Sequence, residues 1–145
     1  MATSIQFFSE ETTYHLRDSY RYRLWLKHTA QLEGCSIENI NIVFCPDSYL
    51  YQINFDYLGH DTFTDIVTFD QSENSQILEG DIFISVERAK ENAQTYAVPL
   101  EMELSRLMVH GVLHLIGYSD KTKDEKKEMR KKEEAYLSLL KSDFV

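Results

Sequence analysis

"TDIVTFDQSENSQILEGDIFISV", Thr64 to Val86, is the stretch that decides the fold class. Its two ends, "TDIVTFD" and "ILEGDIFISV", are rich in β-branched and aromatic residues and read as strands. "SENSQ" between them is a polar turn. Upstream, "NINIVF" (Asn39 to Phe44) alternates with period two and predicts another strand, and "SIQFF" near the start predicts one more. Helical patterns surround these strands. From Thr13 to Leu32, Leu16, Tyr20, Leu24 and Trp25 recur at helical spacing, and Gly34 follows as a stop. Pro46 and Asp47 open a short helix through "YLYQINFDY". A helix is expected from Glu87 to about Tyr96, and Pro99 starts the next. Asp120 to Lys123 breaks that helix. A last one runs from Asp124 to about Leu140, with Met129, Ala135, Tyr136, Leu139 and Leu140 as its apolar side. Strands come early and helices mass at the end. The expectation is a single α+β domain over residues 1–145, a small mixed sheet of about four strands packed with about five helices.

The bulk numbers agree with that. A chain of 145 residues is near the commonest domain size, and 43% hydrophobic against 27% charged residues allows a core and solubility. No stretch approaches the roughly 18 apolar residues of a membrane span. "MATSIQFFSEETTYH" lacks a basic segment followed by an apolar one, so no secretory signal is read and a cytoplasmic protein is expected. Cys35 and Cys45 form no CxxC pair and are expected to be reduced thiols. The net charge of −9 counts against broad nonspecific nucleic-acid binding. "KTKDEKKEMRKK", Lys121 to Lys132, is a local exception: either a solvated helix face laced with ion pairs or a basic rim beside a site.

The helix after Pro99 ends in "MVHGVLHLIGYSD", Met108 to Asp120. His110 and His114 are four residues apart, one turn on the same face, so both rings can point at one ion. Two hydrogen-bonded core histidines give the same pattern. The context favours the ion. Gly117 lets the helix stop and turn back, and Asp120 arrives three residues later. Two His from a helix and one Asp from its exit loop make a three-ligand set with a position open for water. Such a set suits Zn²⁺ and other divalent transition metals. Asp124 competes as ligand, and Asp120 has an alternative task as cap of the last helix. Gly111 follows His110 where an HExxH peptidase carries its glutamate, so the usual general base of that class is missing.

These residues bear a family resemblance. "HGVLHLIGYSD", His110 to Asp120, is similar to the signature HGxLHLxGYDH of the YbeY family, the bacterial endoribonucleases of ribosomal RNA maturation. "INFDYLGHDTFTDIVTFD" resembles that family's LN-containing segment ending in TDVLSF, and "GDIFIS" resembles its GDI strand. The likeness runs from about Asn39 to Asp120. It implies a metal-dependent endonuclease of single-stranded RNA, acting in 16S rRNA 3′-end processing and ribosome quality control. One zinc ion per chain and ribosomal RNA on the small ribosomal subunit as partner follow from it, with no membrane. In the family three His hold the zinc. His110 and His114 take the first two positions here, while Asp120 stands at the third and Ser119 before it where the family has Asp. Replacing a neutral ligand by an anion should make bound water a weaker acid.

The resemblance also assigns further residues. Asp81 in "EGDIF" matches an acidic residue on the sheet; it is either a turn carboxylate or a catalytic support that orients a ligating ring. Thr64 and Asp65 match a TD pair that caps a turn or lines the cleft, the cap being the safer expectation. A family Arg thought to meet the RNA backbone falls at Leu58, expected to pack, with His60 as partial replacement. Lys121 and Lys123 join His60 as expected substrate contacts through phosphate. Two other function classes stay open: a ribosome-assembly binding factor with a structural metal, and a metal-dependent hydrolase of another substrate such as a peptide.

Overall fold

A computed structural model describes residues 4–144. Four strands, β1 (Ile5–Ser9), β2 (Ser36–Cys45), β3 (Ile66–Asp70) and β4 (Ile77–Ser85), form one sheet. Five helices, α1 (Ser19–Leu32), α2 (Asp47–Leu58), α3 (Val86–Thr95), α4 (Leu100–Ile116) and α5 (Lys123–Asp143), complete the expected α+β architecture. The sheet order is β1-β2-β4-β3. β1 and β4 flank β2 in parallel, and β3 pairs antiparallel with β4, joined to it by the polar turn after Asp70.

The central strands show why the sheet is covered on both faces. On β2, Ile40 and Ile42 alternate with more exposed neighbours, but Val43, Phe44 and Cys45 are buried in succession. A strand buried on both sides loses its alternation. One face packs under α4, the other under α2, where Leu50 meets Cys45 and Val67. Both thiols are free, and burial pushes the Cys45 thiol up to about 12, so it is an inert core residue.

α4 is the element that matters most. Leu104, Met108, Val109, Val112 and Leu113 are wholly buried against the sheet. Gly111 makes that approach possible: a Cβ there would stand 2.8 Å from Ile82 Cδ1. Gly80 beneath is equally tight, with a Cβ position 3.0 Å from Leu115 Cδ2. Two glycines without side chains bring helix and strand together.

Three sequence expectations shift. The helix expected from Thr13 begins only at Ser19. From Glu11 to Arg17 burial alternates with period two, Tyr14 and Leu16 turning in, which marks an extended segment. Asp18 then enters α1 in a left-handed conformation (φ 56°). The buried face of α1 is Tyr22, Trp25, Leu26, Thr29 and Ala30, whereas Tyr20 and Leu24 are exposed. Trp25 shifts the phase because its indole N–H donates to the carbonyl of Tyr136 on α5 at 2.7 Å. On α5, Leu137 is buried and Ala135 exposed. No described helix is long and apolar enough to cross a membrane.

Candidate active site and metal centre

Helix α4 ends where its histidines sit. Gly117 takes φ 125°, and the N–H groups of Gly117 and Tyr118 close back on the carbonyl of Leu113. This turn folds the exit loop over the last helical turn. The Tyr118 carbonyl accepts from His114 Nδ1 at 2.9 Å. A carbonyl only accepts, so the His114 proton sits on Nδ1 and its Nε2 is left as the free donor of a lone pair. On His110, Nδ1 contacts Glu133 Oε2 of α5 at 2.6 Å, which fixes the same tautomer.

The two Nε2 atoms face each other at 2.9 Å. Neutral rings so placed aim lone pairs at one another, and a proton or a cation between them relieves the repulsion. Asp120 Oδ2 completes a triangle, 3.4 Å from His110 Nε2 and 3.5 Å from His114 Nε2. Ligand atoms about 2.0–2.1 Å from a tetrahedral ion stand roughly 3.3–3.4 Å apart, so this donor set fits a divalent metal. Among the described residues it is the one such cluster of three. Asp120 is free for this because Thr122 caps α5 instead, in a reciprocal capping box with Glu125. Asp124 lies in the first turn of α5, outside the cluster.

Burial alone would lower the His110 pKa. Its hydrogen bond to Glu133, with the nearby charges of Glu133, Asp120 and Asp65, outweighs that and holds it above the ordinary imidazole value. Glu133 is itself gripped by Arg106, Nη1 to Oε1 at 2.9 Å, and Arg106 reaches Glu134 at 2.5 Å. The buried Glu103 is pushed up from the carboxylate range, chiefly by desolvation. Asn92 bridges it to Asp65, at 3.1 and 3.0 Å.

The histidines open onto a groove of about 1300 Å³. His60 lines it, with its backbone N–H on the carbonyl of Asn54. Leu58 lines it too and is exposed, so it does not pack as expected. Thr64 and Asp65 also line the groove, and the Thr64 hydroxyl donates locally to the carbonyl of Ile66 at 3.3 Å. Lys121 and Lys123 do not line it; the groove starts one turn further along α5, at Lys126 and Arg130. Asp81 lies outside the site. Gly80 and Ile82 face α4, so strand alternation turns Asp81 to the opposite face, where it accepts from Asn41 at 3.0 Å.

The residue that orients the His110 ring is therefore Glu133, which sequence reasoning missed. A signal existed: Glu133 falls at i+4 from Met129 and i−4 from Leu137, a carboxylate amid the buried face of α5. Asn54 was missed as well. It is buried, and its amide donates to the carbonyl of Thr62 at 3.0 Å, pinning the loop that carries His60 to Asp65.

Comparison with known proteins decides the family. The family model described as Endoribonuclease YbeY matches residues 5–141. The chain belongs to the YbeY endoribonuclease family. It is 51% identical over 138 residues to the Endoribonuclease YbeY of Cytophaga hutchinsonii, covering 95% of this chain and 96% of that one. It is 42% identical to the protein of the same name from Amoebophilus asiaticus, covering 92% and 91%. Among solved structures, the solution structure of TM1509 from Thermotoga maritima shares the fold, with a TM-score of 0.66 at 24% identity over 94% of this chain and 88% of that one.

Proposed function

We propose that this protein is a metal-dependent endoribonuclease that cleaves single-stranded RNA in the maturation of ribosomal RNA. The observation that carries the reading is the convergence of His110 Nε2, His114 Nε2 and Asp120 Oδ2 at the mouth of the groove. These three residues would hold the ion, and two imidazoles with one carboxylate suit zinc. A bound divalent ion supplies Lewis acidity toward a water or a phosphoryl oxygen. The chain does the rest. Glu133 and the Tyr118 carbonyl keep each Nδ1 protonated and each Nε2 free. Arg106, spent on Glu133 and Glu134, stiffens the support and is not offered to substrate. Lys126 and Arg130 stand on the α5 wall, where phosphates of a strand would pass. Ribosomal RNA near the 3′ end of 16S, the small subunit and the cytoplasm are the substrate, partner and compartment this reading takes from the family.

The test is cleavage of a single-stranded RNA by wild type, by the chelated protein and by His114→Ala, with metal content measured on each. Cleavage that stops with chelator and in the variant supports the reading. Equal cleavage in all three sinks it. The exposed Leu58, at the position of the family's arginine, favours a second reading as a ribosome-assembly binding factor with a structural metal. Co-sedimentation with small subunits that survives His110→Ala, in a protein that cuts no RNA, would select it.

A further inference from the structure

Scattered exposed apolar side chains need no explanation, but a convergent set does. Leu58, Phe63 and Tyr96 are all exposed, Phe63 by 54% and Tyr96 by 61%, and all three line the groove that holds His110 and His114. Each comes from a different part of the chain: the end of α2, the loop before β3 and the end of α3.

The Phe63 ring is held by its neighbours, and the backbone that carries Tyr96 is fixed. Phe63 lies 4.6 Å from the Tyr51 ring, and the Arg88 guanidinium stands 5.2 Å over it. Arg88 is in turn fixed to Asp47 Oδ1 at 3.0 Å. Tyr96 caps α3 on a tight turn. Its N–H bonds to Asn92, and the N–H of Val98 returns to the carbonyl of Ala93 at 2.9 Å. Between them Ala97 takes φ 54°, a left-handed conformation that non-glycine residues rarely adopt. No described aromatic ring covers Tyr96. A large exposed ring is thus carried at the groove edge on a fixed backbone, with no described aromatic stacked on it.

The charges complete the picture. Lys126 and Arg130 make no ion pair among the described residues. The groove also contains five carboxylates, each with a partner: Asp65 and Glu103 on Asn92, Glu133 on Arg106 and His110, Asp120 beside His110 and His114, and Asp70 on the N–H of Ser72. Unpaired cations beside exposed rings along one groove are the recognition chemistry of a single-stranded nucleic acid. We propose that Tyr96 and Phe63 stack nucleobases of the RNA strand while Lys126 and Arg130 hold its backbone. The proposal rests on the nuclease reading for its substrate class and adds how the strand is gripped: by base faces, with little regard to sequence. It also accounts for a groove without a free arginine at position 58.

The probe is a fluorescein-labelled 2′-O-methyl RNA dodecamer of mixed sequence, which resists cleavage, titrated into the whole protein and read by anisotropy. Tyr96→Ala should weaken binding roughly five- to a hundred-fold, and Tyr96→Trp should keep it. Phe63→Ala should weaken it in the same sense. A dodecamer with abasic sites should bind wild type as weakly as the full oligomer binds Tyr96→Ala. Lys126→Ala and Arg130→Ala should each reduce the slope of log affinity against log salt by about 0.7. Unchanged binding by Tyr96→Ala, equal affinity for the abasic oligomer, or tighter binding of an apolar peptide in the groove overturns the proposal. No binding by wild type does the same. Base-dependent binding by a protein that cuts no natural RNA would leave this proposal standing and remove the nuclease reading. Cutting by wild type and Tyr96→Ala alike, at equal KM, would do the reverse.

Discussion

His110 and His114 are one turn apart on one helix and aim the same nitrogen at the same point, yet they are held differently. His110 is the more buried, and its outer nitrogen is tied to a carboxylate 23 residues away on α5. His114 is tied to a backbone carbonyl four residues on, inside the turn that ends its own helix. One ring depends on tertiary docking and the other on local chain geometry. The two candidate ligands should therefore fail separately. Cutting the Glu133 tie frees His110 while leaving the bond that holds His114 in place. No side-chain change can remove the carbonyl that holds His114, although the turn around it can be loosened.

The largest effect tests the half the two rings share. His110→Ala and His114→Ala should each take the metal content from about one ion per chain to none, measured by elemental analysis. A variant that keeps its metal would break the symmetry at Nε2. Next comes Glu133→Gln, which exchanges the carboxylate for a neutral amide. Zinc affinity, read by competition with a chromogenic chelator, should fall roughly 10- to 100-fold. An unchanged affinity would mean that the α5 tie is dispensable and that the two rings are alike after all. Tyr118→Phe acts on the other half. The Tyr118 hydroxyl donates to Glu33 at 2.5 Å, and Glu33 also accepts from Tyr136 and Lys132, so the turn is anchored to α1 and α5. The backbone carbonyl survives the substitution, and affinity should drop less than about tenfold. A larger loss than in Glu133→Gln would reverse the ranking.

The smallest effect concerns pH and the buried half. Burial raises Glu103 above the ordinary carboxylate value, with Asp65 and Glu133 adding repulsion against help from Asn92 and Arg106. The folded protein therefore keeps this proton after the unfolded chain has lost it. Stability falls as pH rises from the ordinary carboxylate range through the raised native value, and the penalty is full above it. Glu103→Gln should flatten that slope and raise the urea midpoint at neutral pH. A midpoint lower than wild type would mean that the charge of Glu103 is needed.

Much of the fold was legible because its signals are local. The strand at Asn39 to Phe44 and the proline starts of α2 and α4 depend on neighbours within a few residues. The cluster that could hold an ion was legible for the same reason: His110, His114 and Asp120 lie within one helix and its exit loop. What escaped depends on distant chain. The phase of α1 turns on Trp25 reaching Tyr136, far along the sequence. Glu133 acquires its role only once α5 folds back over α4. Asp81 went astray for a different reason: which face of a sheet holds the site is a matter of which helix covers it, and strand periodicity does not say. Lys121 and Lys123 were the nearest cations in sequence, whereas the groove takes those one turn further on.

The contact under Gly111 has a consequence for what this scaffold can become. Peptidases of the HExxH kind carry their general base at the position that Gly111 occupies. Here even a methyl group would press on Ile82, and a glutamate would have to enter the sheet. A single substitution cannot turn the site toward that chemistry without first moving a helix. The route to peptide hydrolysis is closed by the packing of α4 on the sheet rather than by any lack of side chains able to hold an ion.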